Sequence, residues 1–404
     1  MLGILGSWAM DTGQQIFWDN VKSLSVQNPD NLMAPPVIRL GSRDHLSIKF
    51  DIISNDYEYL RYRVIHCNAD WQPSRLMESE YLDGFNEMEV DDYAFSSNTY
   101  IQFVNYQIEI PNPQLPITAS GNYLLQVYPE SDYDDILLQV RFSVSEENAF
   151  IQGGLTSKTD KGVNGEFQQL FLKANLSSFP GINPYQDLVI SIIQNNRPET
   201  TKFISHPIRV EGNNAIFEHS PDLIFEAGNE YRRFETVRTD YPGMHVDSVQ
   251  FIAGIWHAWL QPDSSRKDKE YFFDSTQHGR FKIDEYNSTE PDLSADYVVV
   301  HFTLDTGETP DGLVYVDGDF TNHRFNESNL MKYDFRDGLY HASIPLKQGS
   351  YNYQYVVVPR NKGAISSRLI EGNKYETQNE YLIKLFLRLP GARADQLIGT
   401  ALIQ

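Results

Sequence analysis

The side chains best suited to chemistry lie together at residues 66–74, which read HCNADWQPS. His66, Cys67 and Asp70 are residue types that can form a base, a nucleophile and an orienting carboxylate, and Cys67 is the only cysteine of the chain. The alternation of apolar and polar residues at 57–65 predicts a strand that leads into this motif. Because successive side chains of a strand point to opposite faces, His66 and Cys67 could not share a proton directly.

A structural role for the motif is therefore favoured. Free cysteine is among the most often buried residue types, so we expect Cys67 to lie in a core rather than to act as a reactive thiol. Asn68 and Asp70 are expected to form a turn by accepting backbone N–H groups. Trp71 has two interpretations, because tryptophan is enriched at binding hot spots yet usually packs inside. It covers the edge of a core, or it forms an exposed contact patch with Pro73.

The rest of the sequence lacks a recognised catalytic or cofactor signature. It contains no P-loop, GxGxxG, GxSxG or HExxH pattern, and its ten histidines show no pair at metal-ligand spacing on one helix. Residues 305–312 look faintly like a calcium loop but lack its regular acidic spacing, so a solvated hairpin turn is favoured. The other acidic clusters are interpreted as a solvated rim: Asp91, Asp92, Asp132, Asp134 and Asp135. We expect no catalytic residue, no cofactor and no metal site.

Composition restricts the classes of partner. The 404 residues carry a formal net charge of −22, which argues against binding nucleic-acid phosphates or anionic lipid. Hydrophobic residues make up 41% of the chain and aromatic residues 13%, enough for packed cores. No apolar run approaches the roughly 20 residues that a membrane-spanning helix needs. Residues 1–10 are apolar without a basic region, so they are an ordinary terminus or the tail of a signal peptide.

Short strand patterns separated by turn residues recur along the chain, whereas long amphipathic helical patterns are scarce. This organisation predicts a mostly β protein built of several antiparallel β-sandwich domains in series. The predicted divisions are an N-terminal segment at 1–33 (a signal-peptide tail, then a strand), a first sandwich at 34–146, a middle β-domain at 147–292 and a last sandwich at 293–404.

Dispersed short motifs follow one another in the order seen in a known family. They lie at 39–42, 50–51, 66–74, 80–85, 97–99, 111–112, 120–123, 141–142, 194–195, 228–234, 371–372, 377, 379–381 and 388–393. Together they span nearly the whole chain and resemble the plug protein family of the type IX secretion system of Bacteroidetes.

The resemblance implies a non-enzymatic periplasmic protein that is made after signal-peptide cleavage and is monomeric when free. Its expected partner is the giant outer-membrane translocon barrel of the SprA type, whose periplasmic opening a plug closes. Neither nucleic acid nor a membrane-spanning segment of its own is expected. From loop position and side-chain type, we expect the partner to contact Trp71, Pro73, Tyr81 and Phe85.

The last predicted domain raises an alternative function. Residues 312–322 and 349–356 resemble early-set immunoglobulin-like modules found beside starch- and glycogen-acting enzymes, which implies immunoglobulin-like or early-set sandwiches and a glycan-binding accessory protein. Tyr351, Tyr353 and Tyr355 share one strand face, but such a face normally packs on a second sheet, so a core role is favoured over sugar stacking. All five tryptophans lie outside this domain, at 8, 18, 71, 256 and 259. A hydrolase that uses scattered carboxylates is the third hypothesis, and it has no local signature.

Overall fold

A computed structural model describes residues 12–361 and 363–404. The predicted signal-peptide tail at 1–10 lies outside these residues. The described strands form sheets that are antiparallel except at three pairings: residues 37–39 with 143–145, 256–259 with 298–301, and 263–264 with 304–305. This confirms the mostly β fold with several sandwiches. Its immunoglobulin-like or early-set class stays a prediction. Within the described residues, no helix is both long and apolar enough to cross a membrane.

The first sandwich covers residues 15–145. Its elements are β1 (Gln15–Ile16), β2 (Val21–Gln27), β3 (Val37–Arg39), β4 (Leu46–Ile52), β5 (Leu60–Cys67), α1 (Glu78–Tyr81), β6 (Met88–Glu89), β7 (Asp92–Phe95), β8 (Val104–Ile110), β9 (Gly121–Pro129) and β10 (Leu138–Ser145). One sheet has the order β1-β10-β9-β5-β6 and the other β2-β4-β8-β7. In β5, Leu60, Tyr62 and Val64 alternate with two arginines and point into the core between the sheets.

The second sandwich begins with nine further strands. They are β11 (Phe150–Thr156), β12 (Lys158–Thr159), β13 (Gly162–Val163), β14 (Phe167–Asn175), β15 (Leu188–Gln194), β16 (Lys202–Ile204), β17 (Arg209–Glu211), β18 (Asn214–Phe217) and β19 (Ile224–Glu226). Short 3₁₀ turns cover Pro198–Thr200 and Pro221–Leu223. The sheet β11-β14-β18-β17 packs on a second sheet through a core that includes Leu170, Ile190 and Phe217.

The next stretch of the chain, residues 232–371, forms the third sandwich. Its strands are β20 (Arg232–Glu235), β21 (Val246–Ile252), β22 (Ile255–Leu260), β23 (Asp263–Ser264), β24 (Phe281–Ile283), β25 (Tyr297–Asp305), β26 (Gly312–Asp317), β27 (Lys332–Asp334), β28 (Leu339–Lys347) and β29 (Gly349–Pro359). Two helical turns, α2 (Pro291–Ser294) and α3 (Arg368–Glu371), and a 3₁₀ turn at Asp319–Thr321 complete it. The long strand β29 pairs with β20, β24 and β26, opposite the sheet β21-β22-β25-β28-β27.

The last two strands return to the second sandwich. β30 (Tyr381–Leu387) and β31 (Gln396–Ile403) complete the sheet β16-β15-β30-β31, and β30 pairs with β15 over its full length. This pairing differs from the predicted division at 293, because the strands at 232–283 lie with the third sandwich and those at 381–403 with the second. We infer that the third sandwich is inserted between the two parts of the second.

Local sequence does not indicate this return. Every residue of β30 is buried, so the strand reads as an apolar run interrupted by Lys384 rather than as an alternation with one core face. A pattern of this kind identifies a central strand but not its neighbour. The partner of β30 is a strand nearly 200 positions earlier, and only packing brings the two together.

A buried ion pair joins the first sandwich to the third. Lys347 Nζ at the end of β28 lies 2.7 Å from Asp51 Oδ2 on β4, and both side chains are almost completely buried. Tyr297 Oη on β25 donates to the same carboxylate oxygen at 2.7 Å, and Asn105 Nδ2 donates to the other at 2.7 Å. A buried pair is tolerated only while each charge keeps its partner, so this contact fixes the two sandwiches against each other.

Charged pairs also join the second sandwich to the third. Arg280 at the start of β24 pairs with Glu380, the residue before β30. Arg197, a buried residue after β15, lies 3.9 Å from Asp317 at the end of β26. The insertion is therefore held by side-chain contacts as well as by its two chain connections.

Candidate partner-binding surface

The motif at 66–74 turns the chain back on itself at the end of β5. Trp71 has a φ of 65°, the left-handed region that favours glycine. Its N–H donates to Asn68 O at 2.9 Å, and Ser74 N donates to His66 O at 2.8 Å. Cys67 forms an isolated antiparallel bridge with Pro73. The predicted turn is confirmed, and it is closed mainly by backbone hydrogen bonds.

His66 and Cys67 are both buried and do not form a catalytic pair. Burial raises the pKa of the Cys67 thiol to about 12, which keeps it protonated and unreactive near neutral pH. His66 Nε2 lies 2.9 Å from Ser120 O, and its ring packs edge-on against Tyr123 with ring centroids 5.0 Å apart. Burial lowers the pKa of His66. The burial of Cys67 confirms the expectation that it lies in a core.

We expect the Cys67 thiol to resist alkylation while the protein is folded. Iodoacetamide added at mildly alkaline pH should leave the native protein unmodified over hours, because the thiol is neither exposed nor ionised. The same reagent in concentrated urea should give one adduct per chain, as measured by intact-mass spectrometry. Stoichiometric labelling of the native protein at the rate of free cysteine would show that the corner opens and that the thiol is available.

The corner also joins the first sandwich to the second. Ala69 N donates to Asp395 Oδ2 at 3.0 Å, and Asp395 N donates to Asn68 Oδ1 at 3.0 Å. Arg388 holds the same carboxylate at 2.6 Å. Sequence reasoning assigned Asn68 to a local turn and did not select Asp395, which lies just before β31 and has no local signal.

Trp71 lies at this joint between two cations. Its half-buried ring has the Arg141 guanidinium 4.3 Å from its centroid and the Lys384 ammonium 4.8 Å from it. Arg141 belongs to β10 of the first sandwich and Lys384 to β30 of the second. Cations attract the negative face of an indole ring, so Trp71 connects the two sandwiches.

The four predicted partner contacts do not share one environment. Phe85 is 87% exposed and Pro73 is exposed, whereas Trp71 is half-buried. Tyr81 is buried, and its hydroxyl donates to Val64 O at 3.3 Å. The prediction of Tyr81 as a direct contact is wrong for this conformation, because the ring packs inward on His66 and Tyr123. The Tyr81 ring therefore packs beneath the surface residues of the segment 73–85.

We call residues 73–85 the α1 loop. Besides Phe85 it exposes Met77, and it rests on the second sandwich, because Arg75 N donates to Arg393 O at 2.9 Å and Arg393 pairs with Glu80. A groove of about 400 Å³ lies beside it, with Leu76 and Leu389 among its lining residues. The α1 loop thus exposes apolar side chains where the first and second sandwiches meet, and its contacts with the second sandwich hold it in place.

A second exposed aromatic cluster was missed by sequence reasoning. Tyr100 packs on Phe251 with centroids 4.5 Å apart, and Phe251 packs on Trp256 at 4.8 Å. Tyr100 and Phe251 are both exposed. Tyr100 N donates to Asp296 Oδ2 at 2.9 Å, so this cluster marks the joint between the first and third sandwiches. The sequence signal that could have identified this cluster is the presence of two aromatic residues, Phe251 and Trp256, at the tip of the β21–β22 hairpin.

The tyrosines considered for sugar stacking are core residues. Tyr351, Tyr353 and Tyr355 are almost completely buried, and the hydroxyls of Tyr353 and Tyr355 both donate to Asp263 Oδ2 at 2.7 Å. The favoured core interpretation is confirmed, and these rings cannot serve as a glycan platform. Across residues 12–361 and 363–404, no group of three or more His, Cys, Asp or Glu side chains is arranged to hold a metal ion.

Comparison with known proteins identifies the family. A family model described as "Type 9 secretion system plug protein 1st domain" matches residues 21–146, which is most of the first sandwich. The crystal structure of a hypothetical protein from Parabacteroides merdae ATCC 43184 is 38% identical in sequence and superposes with a TM-score of 0.95, covering 97% of this chain and 99% of that one.

Two other findings add nothing to this assignment. The Pseudomonas fluorescens alkylpurine DNA glycosylase AlkC bound to DNA is 12% identical over 31% of this chain and 30% of its own, and its TM-score of 0.16 indicates no shared fold. No curated protein matches the sequence. On the match of its first sandwich and the ordered motifs along its length, the chain belongs to the type IX secretion system plug protein family.

Proposed function

We propose that this chain is a non-enzymatic periplasmic plug that binds the outer-membrane translocon barrel of the type IX secretion system, of the SprA type, and closes its periplasmic opening. The observation that carries the proposal is the match of the first sandwich to the plug family. The motif at 66–74 does not compete as a nucleophilic site, because the one cysteine is buried and its neighbouring histidine is engaged with a backbone carbonyl.

The joints between the sandwiches suit a protein that closes a wide pore. The lumen of a large outer-membrane barrel is polar and water-filled, so a plug must keep its shape against solvent and ions. Each sandwich has a close-packed core. Buried pairs such as Asp51–Lys347 resist relative movement of the sandwiches, because separation would leave a charge without its partner.

The α1 loop is the surface that we assign to the barrel. Phe85 offers a large apolar side chain, which is the kind of group that anchors the buried centre of an interface. A stable interface needs about 1,000 Å² of buried area or more, so neighbouring loops must contribute. The net charge of −22 favours a partner surface that is less acidic or locally basic. Trp71 and Tyr81 act indirectly in this arrangement by holding the loop on its joint.

Recovery of the barrel from solubilised membranes tests the proposal. Tagged wild-type protein, incubated with outer membranes in mild detergent, should retain one very large barrel protein identified by mass spectrometry. Phe85→Ser should weaken that binding by about tenfold or more, because loss of a hot-spot aromatic removes a main anchor. Phe335→Ser is the matched control, since Phe335 is 91% exposed but lies on the third sandwich at the β27–β28 turn. Rising salt should lower recovery of the wild type.

The possible outcomes separate the function from the surface. If the wild type retains no outer-membrane protein, the plug assignment fails. If Phe85→Ser and Phe335→Ser retain the barrel equally, the plug assignment stands and the α1 loop is the wrong surface. If salt has no effect on recovery, the electrostatic contribution is wrong while the apolar anchor stands.

A further inference from the structure

A cavity of about 110 Å³ lies where the three sandwiches meet. The first sandwich contributes Arg141 and Ser143 to its lining, the second Ser191 and Lys384, and the third Arg280 and Asn322. One water molecule needs about 10–15 Å³ on this scale, so the cavity has room for several waters or for one ligand of a few heavy atoms. A cavity shared by all three sandwiches is placed to affect how they hold together.

Lys384 is the unusual group in this lining. The residue is only 8% exposed, and its Nζ donates to Ser143 Oγ at 2.7 Å and to Asn122 Oδ1 at 3.3 Å. Both acceptors are neutral. The charged neighbour that acts on Lys384 is Arg141, which has the same sign. Burial, and then Arg141, lower the pKa of Lys384 to about 7, because an ammonium group inside a protein needs an opposite charge.

Other buried cations of the described chain have that opposite charge. Lys347 pairs with Asp51 at 2.7 Å, and Arg197 pairs with Glu199 at 2.7 Å. His323 lies 2.9 Å from Asp317 and from Asp319. Lys384 forms no ion pair with a carboxylate of the residues that the structure describes. The fold supplies counter-charges elsewhere, so their absence at Lys384 indicates a group that comes from outside.

Lys384 has the sign of charge that an anion requires, and most of the other charges that line the cavity are already paired. Arg141, Arg280, His323 and Lys384 are lining residues that can carry positive charge. Arg280 is already paired with Glu380, and His323 with Asp317 and Asp319. Asp319 is the single carboxylate among the lining residues described. That carboxylate is already engaged with His323. Hydroxyl and amide side chains, including Ser143 and Asn322, complete the lining. Lys384 is therefore the lining cation that a bound anion would neutralise.

We propose that the cavity binds a small oxyanion, a carboxylate or a phosphate, with Lys384 as its charge partner. Ser143, which accepts from Lys384 Nζ and donates to Asn122 Oδ1, holds that ammonium group in place. The bound anion neutralises the buried ammonium group and contacts side chains from all three sandwiches. It is a structural ligand that stabilises the junction, and its presence does not depend on whether the protein acts as a plug. A cavity of about 110 Å³ suits a ligand of a few heavy atoms.

Calorimetric titration of the full chain with formate, acetate and phosphate tests the site directly. One of these anions should bind with a stoichiometry of one per chain, in a buffer whose ionic strength is held constant with chloride. Because a ligand that binds only the native state stabilises it by mass action, saturating anion should also raise the unfolding temperature by about 2 °C or more. Binding without saturation, or equal effects of all salts, would overturn the proposal.

Two variants and a matched control assign the site to this cavity. Lys384→Met should abolish the saturable binding, and Ser143→Ala, which keeps the charge, should weaken it several-fold. Lys332→Met should bind like the wild type, because Lys332 is an exposed lysine of the third sandwich. If Lys384→Met does not fold, the Ser143→Ala titration decides. Unchanged affinity in Ser143→Ala and in any folded Lys384→Met would place the anion elsewhere and reject this site.

Discussion

Replacing Lys347 by methionine is expected to destabilise the protein by about 3–5 kcal/mol, because the change leaves the Asp51 carboxylate buried without its counter-charge. Asp51 would keep hydrogen bonds from Tyr297 and Asn105, but both donors are neutral. The measurement is the loss of unfolding free energy in urea, followed by fluorescence of the whole chain. The first and third sandwiches should separate earlier than in the wild type, since this pair joins them.

A matched pair on the surface provides the control. Lys282 and Asp284 are also 2.7 Å apart, but both side chains are substantially exposed, so Lys282→Met should cost less than about 1 kcal/mol. The double variant Asp51→Asn with Lys347→Met should recover part of the loss, because it leaves no unpaired charge. A cost for Lys347→Met no larger than that of Lys282→Met would mean that water enters this joint and screens Asp51.

Replacing His323 by glutamine is expected to cost a similar 3–5 kcal/mol near neutral pH. The imidazole lies 2.9 Å from Asp317 on one nitrogen and 2.9 Å from Asp319 on the other, and the Asp317 side chain is fully buried. These carboxylates raise the pKa of His323 to about 10 despite its burial. Loss of the imidazolium leaves Asp317 with Arg197 at 3.9 Å as its nearest cation.

The pH dependence of this loss follows from the raised pKa. The unfolded state has a histidine pKa of about 6.5, so the stabilisation is fully present below about pH 6.5 and is lost as pH rises through about 10. The difference in unfolding free energy between the wild type and His323→Gln should therefore be largest at mildly acidic to neutral pH and shrink on the alkaline side.

The control for His323 is a second histidine that pairs with a carboxylate at the same distance but at the surface. His341 Nε2 lies 2.9 Å from Asp337 Oδ2, with both side chains at least 40% exposed. His341→Gln should change stability far less, because solvent screens that pair. A His323→Gln penalty that stays constant from neutral to alkaline pH would indicate that His323 is neutral in the folded protein.

Much of the fold could be predicted from local sequence. Alternation in β5 identified a half-buried strand, and the turn residues after it identified a corner, because strand periodicity and turn chemistry act over a few residues. The buried state of Cys67 and of the three tyrosines followed from residue type and strand face. Ordered motifs along the chain identified the family, which the match at 21–146 confirms.

Other features depended on contacts between distant parts of the chain. Asn68 was expected to serve a local turn, but it also receives Asp395 N across more than 300 positions. Tyr81 was expected to be exposed because it lies in a loop segment, yet its ring is covered by His66 and Tyr123. A loop position in the sequence does not specify which side chains turn inward, since that depends on what packs beneath the loop.

The sequence by itself determined that the chain is a β-sandwich protein of the plug family with a buried cysteine corner. Only the tertiary structure decided that β30 and β31 complete the second sandwich, that the corner is a joint, and that Lys384 lies buried between sandwiches without a carboxylate. The physical reason is the distance along the chain over which each kind of interaction acts. Periodicity, propensity and turn chemistry are local, whereas the neighbour of a fully buried strand and the partner of a buried charge are selected by the packing of the whole chain.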